Sequence, residues 1–284
     1  MKKVAVVGTG IMGHGIADNF LKKGYPVFVW NRHKDKVHDL VKKGAILAKT
    51  PKEAAEKADL IFEVTANDAS SRSVWLGEKG ILAGATPKKK TLITCATLSI
   101  EWTDELAGLC TKKKFTFFDI PMTGSRQGAE TGKLILMAGG DKEKLKKLAV
   151  DLKAISEKVL YFGKAGSGMR FKLLLNTLQA IHLVAFGEVL KVAEKAGLNI
   201  KAVGEALSER PGGTATNLAW KNFQKVPEQT NFALQWMAKD VKYTKQFSKK
   251  LIKTPFLDII LKKFRKAIRQ NLGPKDWTII NKII

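Results

Sequence analysis

Residues 3–13 read KVAVVGTGIMG, and no other stretch limits the possible folds so strongly. Nearly unbroken apolar character, the mark of a strand covered on both faces, runs straight into Gly8, Gly10 and Gly13. An amphipathic helical pattern starts at Ile11 or Met12 and continues to about residue 23. In this setting each glycine of G-x-G-x-x-G has a purpose. Gly8 permits the tight turn, Gly10 lets the backbone approach a pyrophosphate, and Gly13 lets helix and strand pack closely. The helix start, with Ile11 and Met12, offers unpaired N–H groups and positive potential to an anion. A plain strand-to-helix turn is the alternative reading; the strand before and the helix after favour a dinucleotide.

Strand patterns at 3–7, 26–30, 59–64, 91–94 and 115–119 alternate with helical patterns at 12–23, 34–43, 51–57, 69–76 and 99–111. Such alternation gives βαβ units and a doubly wound sheet. A further strand pair, 134–138 and 159–162, brackets a helix near 141–154. After Gly163 the strand patterns stop. A long, strongly apolar helix is expected over roughly 167–196, closed by Gly197, with shorter helices at about 200–208, 216–222, 232–250, 256–270 and 275–282. The chain therefore reads as α/β: a Rossmann-type doubly wound parallel sheet over residues 1–162, followed by an all-helical C-terminal domain over 163–284.

The second strand, PVFVW, bears on which dinucleotide is held. An acidic residue at its end would bond the ribose 2′-OH of NAD. The strand runs instead into Asn31, Arg32 and His33, and a guanidinium suits a 2′-phosphate. The expectation is NADP(H), bound through Asn31 and Arg32 with His33 or Lys36 assisting, in preference to NAD. Thr65, just past the strand at 59–64, is a further candidate for the cofactor.

Composition narrows the function classes. The net charge is +24: 28 Lys/Arg against 18 Asp/Glu in residues 1–162, and 22 against 8 in residues 163–284. No nucleic-acid motif or run of interleaved aromatics accompanies the lysines. A solvated surface that attracts small anions is the better reading, and nucleic acid is not favoured as a partner. Cys95 and Cys110 lie in or beside apolar runs and point away from a disulfide framework. The first residues hold no signal-peptide apolar core, and no uninterrupted apolar run reaches about 18 residues. A cytoplasmic protein without a membrane span is expected. His14, His33, His38 and His182 form no ligand cluster, so no metal is expected, and His182 reads as structural.

Lys172 and Asn176 stand at i and i+4 near the start of the long apolar helix, FKLLLNTLQAIHLVAF, and so share a face. A buried lysine is costly unless it has a job, and burial moves it toward the range useful for proton transfer. Upstream, DIPMTGSRQGAETGKLILMAGG follows a strand end, where ligands bind in open α/β sheets. There Thr123, Gly124 and Ser125 can offer N–H and O–H donors to a substrate carboxylate, with Arg126 as a further anchor.

Together VAVVGTGIMGHGIADNFLKKGYPVFVWNR, DIPMTGSRQGAETGKLILMAGGD, GSGMRFKLLLN and MAKDVKYT resemble the β-hydroxyacid dehydrogenase family over essentially the whole chain. That family includes 3-hydroxyisobutyrate dehydrogenases, tartronate semialdehyde reductases and glyoxylate/succinic semialdehyde reductases. The resemblance implies that Lys172 exchanges the proton at the carbonyl oxygen and that Asn176 orients substrate. It also implies that Thr97 contacts the nicotinamide and that Lys239 closes over cofactor and substrate. A small anionic aldehyde- or keto-acid, or its hydroxy acid, is the implied substrate, and a homodimer or homotetramer built on the long helix is the implied assembly. The family's substrate-loop serine is Thr123 here, preceded by Met122. Thr94-Cys95-Ala96-Thr97 replaces an Asp-x-Ser-Thr, and Leu175 replaces the first of two asparagines. These departures leave the substrate open. Ser125-Arg126 with Asn31-Arg32 looks more like the glyoxylate/succinic semialdehyde reductase branch.

Two other classes fit parts of the sequence. One is a non-catalytic dinucleotide-binding scaffold with a basic nucleic-acid- or protein-binding face, against which Lys172 and Asn176 speak. The other is a 6-phosphogluconate-type decarboxylating dehydrogenase, weakened by the short helical domain. The family's imine-reductase relatives replace the lysine, so Lys172 argues against imine reduction.

Overall fold

A computed structural model describes residues 1–87, 90–209, 214–249 and 254–283. It forms two compact units, Met1–Lys172 and Leu173–Ile284. The division falls inside the long helix, downstream of the point near Gly163 where strand patterns give way to helices.

The first unit is built on β1 (Val4–Val7), β2 (Val27–Trp30), β3 (Ile46–Leu47), β4 (Leu60–Glu63), β5 (Thr91–Thr94) and β6 (Thr116–Asp119). All are parallel, in the order β3-β2-β1-β4-β5-β6. Apart from the short exposed edge strand β3, their residues are mostly buried, as a sheet covered on both faces requires. The chain leaves β3 and crosses back past β1 to β4. That reversal opens a crevice at the C-terminal ends of β1 and β4, where doubly wound folds bind ligands. The helices between strands are α1 (Ile11–Lys22), α2 (His38–Lys42), α3 (Pro51–Lys57), α4 (Asp68–Trp75), α5 (Ile81–Gly84) and α6 (Ile100–Lys112). Val4, Val6, Ile16, Phe20, Val27, Val29, Phe62, Ile93 and Phe118 form the centre of one core.

Beyond β6 lie β7 (Met122–Thr123), α7 (Ser125–Thr131), β8 (Leu134–Gly140), α8 (Lys142–Leu152) and β9 (Ser156–Gly163). β8 runs antiparallel to β6 and β7 and parallel to β9. The sequence pattern contains no sign of α7. Its glycines and hydroxyls give it low helix propensity, and packing on α1 holds it instead. A Cβ on Gly15 would lie 2.6 Å from the Ala129 carbonyl, and Asn19 Nδ2 donates to that oxygen at 2.7 Å. Two expected helices also differ. Residues 34–43 split into a 3-10 turn and α2, and 275–282 is a 3-10 helix, Trp277–Lys282.

The second unit is helical throughout its described residues apart from an isolated bridge, Ala233 to Asp276. The helix α9 (Ser167–Lys195) leads into α10 (Ile200–Glu209), α11 (Thr214–Gln224), α12 (Leu234–Ser248) and α13 (Pro255–Arg269). Residue 250, within the expected helix 232–250, lies outside the described residues. α13 buries Leu257, Ile260, Leu261, Phe264 and Ala267 at helical spacing and exposes Lys262, Arg265, Lys266 and Arg269. The basic charge of α13 is thus the solvent face of an amphipathic helix. α9 differs from the expectation of no membrane-length segment: it is long and apolar enough to cross a bilayer, with mean hydropathy 1.5 over its best window. Polar residues such as Lys172 and Asn176 interrupt the apolar run that a count of consecutive residues would register. Half of that window is buried within the fold, as in the core helix of a folded domain.

Both cysteines are buried and unpaired. Burial pushes the Cys110 thiol up to about 12 and the Cys95 thiol well above its usual range, the latter helped by the charges of Glu63 and Asp119. The thiolate is the reactive form. Native protein at pH 8 is therefore expected to show no reaction with a thiol reagent over minutes, and two reactive thiols after unfolding. Reaction of either cysteine in the folded protein would contradict the packing.

Candidate functional site

The glycine turn explains its own sequence. Gly8 has φ +101°, and a Cβ there would lie 2.5 Å from the Val64 carbonyl oxygen. A Cβ on Gly13 would lie 1.8 Å from the Gly8 oxygen. Only glycine permits these two approaches. Gly10 differs, because a Cβ there would meet nothing within 4 Å. Its surroundings are open, as close approach of a pyrophosphate requires. Gly10 is also the N-cap of α1 and supplies no side-chain cap. The first N–H groups of a helix have no intrahelical acceptor, so those of Ile11, Met12 and Gly13 suit an anion. The residues present therefore fit a dinucleotide pyrophosphate. Ile11 is 39% exposed, unusual for isoleucine and consistent with a face that a ligand covers.

At the end of β2, Arg32, His33, Lys34 and Lys36 are exposed on one short segment. Asn31 donates through Nδ2 to the His33 carbonyl at 3.1 Å, which folds the segment back on itself. Thr9 Oγ1 donates to the Lys36 carbonyl at 3.2 Å and ties the segment to the glycine turn. Thr65 stands at the end of β4 and Thr97 beyond the end of β5, both half-buried.

Thr123 ends β7, half-buried, and Gly124 and Ser125 follow, exposed and with positive φ. Arg126 lies 3.7 Å from Glu130 on α7, and its buried Nε makes no hydrogen bond. Lys172 is 8% exposed and Asn176 3%, one turn apart on α9. Within the second unit Asn176 Nδ2 donates to Asp240 Oδ2 at 2.6 Å, and Lys239 Nζ lies 3.0 Å from Asp240 Oδ1. The last contact is an ion pair without hydrogen-bond alignment. Among the described residues no three His, Cys, Asp or Glu side chains gather as a metal cluster.

Three acids that the sequence reading passed over belong to this construction. Asp240, fully buried, joins Asn176 to Lys239. Glu63, fully buried at the end of β4, accepts the Thr65 backbone N–H at 3.1 Å, the Thr65 hydroxyl, and the Thr94 hydroxyl at 2.5 Å. Burial pushes its carboxyl up, and these hydrogen bonds oppose the shift. Asp119, fully buried at the end of β6, accepts backbone N–H groups from Gly166 and Met169. Glu63 and Asp119 each interrupt an apolar run (LIFEV, FFDI), the signal that singled out Lys172, whereas Asp240 follows Lys239 in a polar stretch.

Two family models match the chain. The family model for the NAD-binding domain of 6-phosphogluconate dehydrogenase matches residues 3–163. The one for the NAD-binding domain of NADP-dependent 3-hydroxyisobutyrate dehydrogenase matches residues 166–284. The fold and site thus define a nicotinamide-dinucleotide oxidoreductase, and the chain belongs to the β-hydroxyacid dehydrogenase family. An NAD-dependent L-serine dehydrogenase of Pseudomonas aeruginosa is 26% identical over 100% of this chain and 98% of its own length. A 3-hydroxyisobutyrate dehydrogenase-like protein of Arabidopsis thaliana is 34% identical over 75% of this chain and 66% of its own. Among solved structures, Psf3 in complex with NADP+ and 2-OPP superposes with a TM-score of 0.88 at 22% identity, covering 99% of each chain.

The glycine geometry yields a paired outcome. Gly10→Ala should leave the melting temperature unchanged and weaken dinucleotide binding by roughly tenfold or more, because the added methyl occupies only ligand space. Gly13→Ala should lower both, because its methyl meets the Gly8 carbonyl. Fluorescence titration with NADPH and thermal melting check the pair; equal effects of the two substitutions would contradict the assignment.

Proposed function

We propose that the protein is an NADP(H)-dependent reductase/dehydrogenase interconverting a small aldehyde- or keto-acid and its hydroxy acid, with Lys172 as general acid/base. The observation that carries the reading is a buried lysine one helical turn from a buried asparagine, near the start of the helix that follows a dinucleotide-binding fold. Bound nicotinamide supplies the hydride. Thr123, Gly124 and Ser125 receive the substrate carboxylate, with Arg126 as a further anchor. Lys172 gives a proton to the carbonyl oxygen as negative charge develops there, and takes it back in the reverse direction. Asn176, held by Asp240, orients the substrate. The buried Lys172–Asn176 pair favours turnover over a purely binding scaffold.

For the cofactor, the absence of a carboxylate at Trp30-Asn31-Arg32 and the exposed basic segment that follows support NADP(H). The L-serine dehydrogenase relative is named NAD-dependent, which makes the cofactor the point to measure first. For assembly, Leu174, Leu178 and Val189 on α9 are each about half exposed, which supports self-association along that helix.

Reduction of glyoxylate, succinic semialdehyde, tartronate semialdehyde and methylmalonate semialdehyde, monitored by cofactor absorbance, tests substrate and cofactor together. NADPH should give the higher kcat/KM, and Arg32→Ala should lower it by roughly tenfold while sparing NADH. Lys172→Ala should keep NADPH binding and cut kcat by at least about 10². Preference for NADH, or near-wild-type turnover of Lys172→Ala, would contradict the reading.

A further inference from the structure

We propose that Asp119 is a positioning residue that sets the seat of the helix carrying Lys172. The inference rests on Lys172 being the acid/base group. Its physical basis is the start of α9. The residue before the helix is Gly166, with φ +91° and no side chain of its own to act as a cap. The carboxylate comes instead from β6, 47 residues earlier in the chain. Asp119 Oδ1 accepts the Gly166 N–H at 2.7 Å and Oδ2 accepts the Met169 N–H at 2.7 Å. Both oxygens are thereby committed to one turn of backbone. Met169 is three residues before Lys172, so the anchored turn lies directly beneath the lysine on the same side of the helix.

The surroundings are shaped around this carboxylate. A Cβ on Gly139 would lie 2.3 Å from Asp119 Oδ1, and a Cβ on Gly168 would lie 2.2 Å from the Met137 oxygen and 2.8 Å from the Asp119 oxygen. The helix therefore sits on the ends of β6 and β8 at a distance that only glycine allows. The same turn reaches the loop after β5, where the Leu98 N–H donates to Met169 Sδ at 3.2 Å. Leu98 adjoins Thr97. The chain continues from Asp119 through Ile120, whose N–H bonds the Thr94 carbonyl at 2.7 Å, to Thr123. The carboxylate holds the lysine helix at Gly166 and Met169, and Met169 and the backbone at Ile120 link that turn to the loop after β5 and to β5 itself.

Burying this acid carries a cost. Burial pushes the Asp119 carboxyl up to about 6, against its two N–H donors and the nearby Arg170 charge. A folded-state value above the ordinary one means that ionising Asp119 near neutral pH works against the fold. A merely structural cap would be served at lower cost by a neutral hydroxyl or amide. What the charge supplies is a fixed, two-point grip on the helix start. Misplacing a reacting group by about 1 Å can lower turnover by roughly 10².

Two measurements test this. In the wild-type protein, amide hydrogen exchange should show Gly166 and Met169 strongly protected, although the first N–H groups of a helix have no backbone acceptor. Exchange at unprotected rates would overturn the proposal, whether or not any variant folds. In Asp119→Asn the amide group cannot accept, so one N–H is released. We expect kcat to fall by roughly tenfold or more, while the KM and fluorescence-titrated affinity for NADPH stay within about twofold. Unchanged kcat, or a parallel loss of cofactor affinity and melting temperature, would overturn it. Lys172→Ala, assayed beside it, separates the two claims. If Lys172→Ala keeps turnover, the acid/base reading fails and this proposal with it. If Lys172→Ala is inactive while Asp119→Asn is fully active, only this proposal fails.

Discussion

The structure depends first on how closely α1 approaches β1. The Gly8 carbonyl oxygen occupies space that a Cβ on Gly13 would need, and the Val64 carbonyl occupies space that a Cβ on Gly8 would need. With side chains at either place the helix would stand off from the sheet. Its N–H groups would then point away from the crevice between the ends of β1 and β4. With glycine they point into it, and the open side at Gly10 is left for a ligand. Glycine in these positions costs conformational entropy on folding, and the binding geometry is what that cost secures.

A second constraint runs beneath the functional loops. Glu63, Thr94 and Asp119 are paired in register across β4, β5 and β6, so they stand on one face at the C-terminal ends of those strands. Glu63 holds Thr65, and Asp119 holds the start of α9. In the second unit Asp240 does the same for Asn176 and Lys239. Burying three carboxylates is unfavourable unless hydrogen bonds or ion pairs compensate, and each of the three has such partners. Thr65 and the start of α9 in the first unit, and Asn176 and Lys239 in the second, are thus each held by a buried carboxylate.

What was legible in the sequence follows from the same physics. Parallel strands buried on both faces leave continuous apolar runs, and a 29-residue core helix leaves a long apolar pattern, so both were readable. The glycine turn was readable because backbone contacts forbid any other residue at Gly8 and Gly13. α7 was not, since a helix of low propensity is held by Gly15 and Asn19 of α1, which lie more than a hundred residues away in the chain. The two-point contact of Asp119 with Gly166 and Met169 was hidden for the same reason: its partners are backbone groups, which carry no residue signature. Lys172 stood out because its charge lies in an apolar helix. Glu63 and Asp119 carried an equivalent signal in shorter runs, whereas Asp240, between Lys239 and Val241-Lys242, did not.

The central claim is that this fold holds a reduced nicotinamide so that hydride passes to a small carbonyl acid while Lys172 supplies the proton. It is tested most directly by following the hydride. Reduction of an accepted semialdehyde or keto acid with NADPH deuterated at one face of C4, and separately at the other, should place deuterium on the product carbinol carbon from one face only. If cofactor and substrate bind in one orientation, the opposite label remains on the oxidised cofactor. No reduction of any of these acids, product without deuterium, or transfer from both faces alike would contradict the account.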